Sequence, residues 1–372
     1  MLFSKKETNS YLGIDFGRTG IKVVELKHNN DRFELSAYAL AEFSADTVAH
    51  INNKSAKDVA QLINKVCGQA KISSTKAIVS ISAFSVFTSI LRLPNLSIAE
   101  LDIVIRSEVK KLIHLQMDDV VVYWQIMSPG ANMKQNLLHT DFEYLKSHVA
   151  KDDQASQLSV FLTVIPKDII KRYKDIFSLS GLRLVSIEIE TLAMARALLF
   201  NDPSCVMIVD LGGVSTSIIL IDNGIPVFSK SIEVGGSAIN IAIQKMTGLD
   251  IHDTEQMKND VGVIFDMGDG SLQVAGVAQS LISTVIDEVL YIINFYNEHI
   301  KADKKIDKIL LTGGSAFLPN LDKYIASTTN IQTYVGDSWF HVGYDKELQP
   351  LLYKIGQKMC VAIGLAMQGG SE

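Results

Sequence analysis

The feature that most restricts the fold is a strand–glycine turn–strand unit that occurs twice. Residues 11–14 run into Asp15, Phe16, Gly17, Arg18, Thr19 and Gly20 and out along 21–26; residues 206–209 run into Asp210, Leu211, Gly212 and Gly213 and out along 217–221. The aspartates are 195 positions apart (210 minus 15), and a third β-prone run follows each hairpin, at 33–43 and 227–234. A long self-similar offset of this kind reads as two lobes built from one duplicated α/β unit.

Composition agrees with two lobes. A chain of 372 residues with 47% hydrophobic content can fill more than one core. Its formal net charge of -6 comes from 41 acidic and 35 basic side chains with no long basic tract, which argues against a nucleic-acid partner. Cys67, Cys205 and Cys360 are an odd number in separate apolar stretches, so neither a disulfide framework nor a zinc site is expected. Residues 1–7 carry too short an apolar run for a secretory signal, and 206–221 is interrupted by Asp210, Gly212 and Gly213. Residues 367–372 lack a basic amphipathic pattern. These features predict a cytoplasmic chain without direct membrane insertion.

Along the first lobe the pattern predicts β-β-β and then a helix over 56–68, with Val59, Leu62, Ile63 and Val66 on one face. From 77 to 126 it predicts two apolar strands around Pro94, a helix opened by a Ser97/Glu100 capping box, and a strand over 120–126. Polar residues 128–157 read as a long loop. A strand at 158–165, a helix at 167–179 closed by Gly181, a strand at 182–189 and a helix at 191–200 follow. The second lobe adds helices at 238–246, 253–258 and 277–300, a strand at 308–312 and a terminal helix at 358–368.

A glycine-rich hairpin turn lets backbone N–H groups approach phosphate oxygens, and Thr19 adds a hydroxyl donor. Asp15, at the strand end and followed by Lys22, suits holding water around a Mg²⁺ that bridges phosphates; alone, the motif also fits a plain hairpin with an exposed Asp. The second loop repeats the pattern with Asp210, Gly212 and Gly213, then Ser215 and Thr216, and is followed by Gly235 and Gly236. Two such loops can clamp a polyphosphate and its metal, which is more specific than either alone. A third glycine site, Gly313, Gly314 and Ser315 after an apolar strand, would let a purine lie against the backbone, or is a simple strand-to-helix turn.

Phosphate loop, phosphate loop and adenosine loop in this order resemble the actin, Hsp70 and sugar kinase superfamily, along the whole chain. The resemblance implies an α/β, actin-like (ribonuclease H-like) two-lobed ATPase fold. Small-residue helices at 190–195 and 361–366 complete the pattern, allowing close crossing between lobes or serving as ordinary packing helices. The stretch 91–97, a helix, and 119–126 look like the strand–helix–strand–strand (SHS2-type) insert of FtsA and of the type IV pilus assembly PilM family. Segments 21–26, 180–197 and 310–321 are most similar to PilM. Arg18 stands where that family usually has a small hydroxyl residue, and could reach a phosphate or crowd the site; His114, Leu115 and Gln116 replace a proline-containing turn.

The resemblance implies lobe segments at 10–84 and 167–203 around an insert at 85–166, with the second lobe over 204–236, 237–307 and 308–372. It implies that Glu255 and Lys258 contact ribose and base, although a solvated Glu/Lys face is the more common meaning of such a pair. Glu190 falls where hydrolytic relatives can carry a water-positioning carboxylate. ATP and Mg²⁺ are the implied cofactors, with ATP a structural switch and its hydrolysis weak or absent. The implied partner is the cytoplasmic N-terminal peptide of PilN within the inner-membrane pilus assembly complex, gripped near 77–93 and 158–165; self-association stays open. Rival expectations are an FtsA-like division factor, which would carry a membrane-targeting tail, a sugar kinase, which would need an Asp base in a sugar pocket, and an actin-like scaffold without nucleotide turnover.

Overall fold

The computed structural model describes residues 9–29, 32–42, 55–127, 157–262, 271–299 and 305–369. The long loop expected at 128–157 lies almost wholly outside them, as do the first seven residues and 370–372. The chain divides into two compact units, one of residues 1–201, 339–349 and 361–372, the other of 202–338 and 350–360.

In the first unit β1 (Ser10–Gly17), β2 (Gly20–Asn29) and β3 (Arg32–Glu42) form an antiparallel meander. Helix α1 (Ala56–Gln69) follows, its Val59, Ala60, Ile63 and Val66 buried and its start capped by Ser55. Strand β4 (Lys76–Ile81) returns parallel to β1. Next come β5 (Phe87–Pro94), α2 (Ile98–Leu112), β6 (Val120–Ile126) and β7 (Gln157–Pro166), a separate three-stranded sheet in the order β5-β7-β6. Helix α2 buries Leu101, Ile105 and Val109, and its Asp102 accepts a 3.1 Å hydrogen bond from the Trp124 indole on β6. Then α3 (Lys167–Ser180), β8 (Arg183–Ile189) and α4 (Glu190–Leu199) complete this part, β8 pairing parallel with β4.

The two strands expected around Pro94 are β4 and β5, the second ending on Pro94 itself, and they lie in different sheets. Past Pro94 the capping box decides the matter: Ser97 Oγ accepts from Glu100 N while Glu100 accepts from Ser97 N, so the chain enters α2 at once.

The second unit repeats the plan. Strands β9 (Val206–Leu211), β10 (Thr216–Asp222) and β11 (Ile225–Ile232) form the antiparallel meander. Helices α5 (Gly236–Thr247), α6 (Ile251–Val261) and α7 (Ser271–His299) follow, then β12 (Lys308–Thr312), α8 (Leu321–Thr329) and β13 (Thr333–Val335). Strand β12 lies parallel to β9, giving the order β11-β10-β9-β12-β13. The short β14 (Val342–Gly343) then pairs with β3, so the first sheet reads β14-β3-β2-β1-β4-β8. In both sheets a meander is followed by a parallel strand against its first member, as duplication predicts.

The terminal helix α9 (Gln349–Gln368) is nine residues longer at its start than its small-residue stretch suggests, because Pro350 suits a helical first turn. Residues 361–368 of α9 belong to the first unit. There a Cβ on Gly13 would lie 1.9 Å from Ala362 O, and one on Gly364 would lie 1.8 Å from Ala193 O. Backbone touches backbone at both places. Arg196 of α4 fastens the same corner, forking onto Glu188 at 2.5 and 2.7 Å and donating to Gly364 O at 2.8 Å. Glu188 is fully buried, so the bidentate pair satisfies a charge that would otherwise be costly. Both small-residue helices therefore cross inside the first unit.

A valine at Gly364 would have to force the α4 backbone away. Gly364→Val should destabilise by about 3 kcal/mol, the upper range for overpacking, read as a lowered urea midpoint at unchanged slope. His28 gives a pH signature. It is buried, its Nε2 donates to Ala366 O at 3.0 Å, and burial lowers its pKa against the opposing pull of that bond. The unfolded state thus binds the proton first, and stability falls as pH drops below the ordinary value of 6.5. His28→Gln should flatten the urea midpoint against pH in that window.

Candidate functional site

In the first unit the predicted residues gather at one hairpin end. Strand register sets Asp15 opposite Lys22 and Gly17 opposite Gly20, leaving Arg18 and Thr19 as a two-residue turn with Arg18 exposed. Lys22 Nζ donates to Asp15 Oδ2 at 2.9 Å, with side-chain exposures of 13% and 7%. A Cβ on Gly17 would fall 2.1 Å from that ammonium. The glycine thus clears space for Lys22. Ser80, at the end of β4, donates its hydroxyl to Asp15 Oδ1 at 2.8 Å, and Tyr173 donates to Ser80 O at 3.0 Å. Burial, then the Asp15 and Glu190 carboxylates, push the Tyr173 phenol up, keeping it a neutral donor. Glu190 opens α4, and its Oε1 accepts from Ala83 N at 3.0 Å and Ser82 Oγ at 3.4 Å. In this arrangement the carboxylate ties the segment after β4.

In the second unit the remaining predicted residues form one continuous cluster. Asp210 lies beside Thr312 in the parallel β9–β12 register, and Gly313, at φ +88°, brings its backbone against it: a Cβ there would lie 2.4 Å from Asp210 Oδ1. Backbone hydrogen bonds hold the loop after β9. Ser315 N donates to Leu211 O, Gly236 N to Gly212 O and Ser237 N to Gly213 O, at 3.1, 3.0 and 2.7 Å. Two N–H groups of the first α5 turn are thereby spent on the loop rather than offered to an anion. Thr216 is fully buried and donates to Val234 O at 2.6 Å, so its hydroxyl braces the turn, whereas Ser215 stays half-buried.

Gly236, Ser315 and Lys258 meet above the start of α5; a Cβ on Gly236 would lie 2.5 Å from Ser315 Oγ and 3.3 Å from Lys258 Nζ. Lys258 donates to Glu255 Oε2 at 2.7 Å, and the two differ sharply in exposure, 4% for Lys258 against 44% for Glu255. Burial lowers the Lys258 pKa, opposed by Glu255. Burial raises that of Glu255, but the Lys258 and Asn240 hydrogen bonds and the Lys258 and Lys358 charges outweigh it, and the carboxyl titrates below its ordinary range. Lys258 is the buried member and Glu255 the presented one, which a shared helix face could not foretell. The Lys358 side chain lies alongside Gly314, 3.5 Å from where its Cβ would be. Ser80, Asn240 and Lys358 carry no local sequence signal and emerge only from the fold.

Asn240 adds an imbalance. Its Nδ2 donates to Glu255 Oε2 at 2.5 Å, yet its buried Oδ1 meets no donor among the described residues. An orphaned buried acceptor costs about 1–3 kcal/mol, and the charge-assisted hydrogen bond from Nδ2 to the Glu255 carboxylate offsets it by about 1.5–3 kcal/mol.

Hard carboxylate oxygens at Asp15 and Asp210 suit Mg²⁺. Among the described residues no group of three or more His, Cys, Asp or Glu could cage a metal by itself. A cation at either carboxylate would therefore draw most of its ligands from phosphate and water, as Mg²⁺ commonly does.

Residues 13–370 match the family described as Type IV pilus assembly protein PilM. The chain belongs to the PilM family. Its structure is similar to one titled "PilM-PilN type IV pilus biogenesis complex", with TM-score 0.77 and 19% identity over 97% of this chain and 98% of that one. It is also similar to MreB5 of Spiroplasma citri bound to ADP, TM-score 0.53 and 14% identity over 97% and 96% of the two chains. The same protein bound to AMPPNP gives TM-score 0.53 and 14% identity over 96% and 95%. These likenesses establish an actin-like ATPase fold for this PilM-family chain. Among the described residues no helix is long and apolar enough to cross a membrane.

The buried Asp15–Lys22 pair offers a direct test. Lys22→Met should destabilise by about 3–5 kcal/mol, the cost of leaving a buried charge uncompensated, whereas Lys22→Met with Asp15→Leu should recover much of the loss in chemical denaturation.

Proposed function

We propose that this PilM-family chain binds ATP with Mg²⁺ through the Asp15 and Asp210 loops and, in the cytoplasm, holds the N-terminal tail of PilN for type IV pilus assembly. The observation that carries the nucleotide half is the convergence of Asp210, Gly212, Gly213, Gly236, Glu255, Lys258, Gly313 and Ser315 into one cluster. Phosphates belong with the hydrogen-bonding turns, where Lys22, Arg18, Thr19 and Ser215 supply cationic and hydroxyl donors. The adenosine belongs beside Gly313 and Gly314, with Glu255 facing the ribose and Lys258 holding it from beneath. Bound Mg²⁺ would neutralise phosphate charge, with Asp15 and Asp210 orienting its waters. In this reading ATP fixes a conformation rather than supplying fuel.

The partner half rests on family membership and on an available surface. The three-stranded sheet with α2 follows the strand–helix–strand–strand order of an SHS2-type insert. Its edge strand β5 pairs only with β7 among the described residues, and Phe84 before it is 44% exposed. An edge of this kind suits an extended peptide with alternating apolar anchors.

Two measurements test the proposal. Mg-ATP at 100 times its dissociation constant should stabilise the protein by about 2.7 kcal/mol; no thermal shift at millimolar ATP would refute nucleotide binding, and Asp210→Ala should abolish the shift. A labelled PilN tail peptide should give saturable fluorescence anisotropy, and a flat titration to high micromolar would refute the partner assignment.

A further inference from the structure

We infer that Glu190 is a positioning residue for the partner site: its carboxylate fixes where the chain leaves the first sheet and enters the peptide-binding edge at β5. This rests on the PilN reading above. Strands β4 and β8 run in parallel register as far as Ile81 opposite Ile189, so Ser82 and Glu190 leave the sheet as neighbours. A 3₁₀ turn, Ala83–Ser85, starts there, and the Ser82 side chain makes no capping bond to it. Ala83 N is one of the opening N–H groups that such a turn leaves without an internal partner. Glu190 Oε1 accepts from it at 3.0 Å, from 107 positions away, and from the Ser82 hydroxyl at 3.4 Å. The turn is thus capped from α4 rather than from its own sequence.

The two sides of this tie are unequal. Glu190 stands on a fixed base, because β8 is paired to β4 through Ile189 and Arg196 locks α4 to Glu188 and Gly364 O. Beyond Ala83 the support is thinner: Phe84 is 44% exposed, and β5 pairs only with β7 among the described residues. Placement therefore runs from Glu190 to the turn. The chain enters the three-stranded sheet through this turn, so its angle sets how Phe84 and β5 are presented together. A preorganised edge spares a docking peptide the cost of ordering it. The resemblance gives Glu190 a water to position, whereas the geometry gives it a chain segment, and the two roles demand different things of the side chain. Activating water needs a basic carboxylate. Capping Ala83 N needs only an acceptor oxygen at the right reach.

The test measures binding of the labelled PilN tail by fluorescence anisotropy, with urea unfolding and amide exchange at Ala83, for the wild type, Glu190→Gln, Glu190→Asp and Glu190→Ala. Glu190→Gln keeps the acceptor at the same reach and should bind the peptide within about threefold of the wild type. Glu190→Asp keeps the charge but withdraws it by one methylene, and Glu190→Ala removes it. Both should weaken peptide binding about tenfold and speed exchange at Ala83, with urea midpoints that leave them fully folded in the binding assay. Wild-type peptide affinity in Glu190→Asp and Glu190→Ala, or a Glu190→Gln variant as weak as they are, would overturn the inference while leaving the PilN reading intact. Should Glu190→Ala fail to fold, the contrast between Glu190→Gln and Glu190→Asp alone decides. A wild type that does not bind the tail would overturn both.

Discussion

The rest of the first unit depends on a contact between two backbones. Gly364 meets the Ala193 carbonyl so closely that a Cβ would stand 1.8 Å from its oxygen, and Gly13 meets Ala362 in the same way. Helix α9 can therefore lie directly on β1 and α4, although it is the last element of the chain and they are among the first and middle ones. Such long-range seating fixes the strand whose end carries Asp15. Arg196 adds direction to the contact, because its fork holds Glu188 of β8 and Gly364 O at once. Packing brings the backbones together and the buried ion pair registers them, a division of labour in keeping with the modest net stability such pairs supply.

Much of this was legible in the sequence. The two Asp hairpins, the meanders behind them, the capping box of α2 and the Gly181 stop of α3 all follow from local rules, and local rules decide them in the fold. What escaped has a common cause. Strands β13 and β14 are three and two residues long, and α8 has nine; each exists because a sheet edge or a core face was waiting for it, not through its own pattern. Side chains that matter through long-range contact were also invisible: Ser80 reaches Asp15 across 65 positions, and Lys358 reaches Gly314 from another element. The Glu255/Lys258 pair was visible as a pair, but helical spacing cannot say which member is buried.

Arg18 looked like the irregularity of the first loop. It lies exposed in the two-residue hairpin turn, while Lys22 takes the position opposite Asp15 and donates to it. The distinction is geometric. Across an antiparallel pair, directly opposite residues touch, whereas turn residues point outward. A sequence reader weighs residue type first, and here register outranks it.

The duplication explains why the two aspartates sit alike and yet differ. Each ends the first strand of its meander, and each is met from the parallel strand beside it, β4 in one unit and β12 in the other. That is the carboxyl edge of an α/β sheet, where strand ends and loops converge on ligands. In the first unit the neighbouring strand end supplies a hydroxyl, Ser80, and the facing strand a lysine, so Asp15 is oriented and neutralised by side chains. In the second unit the neighbouring strand end supplies Gly313, whose left-handed turn brings backbone where a side chain would collide with Asp210. Past that point the chain runs into the Gly314–Ser315 turn, whereas past Ser80 it runs through Ala83 into the three-stranded sheet. One scaffold thus continues in two ways: into a glycine turn packed against the second carboxylate, and into a separate three-stranded sheet beyond the first.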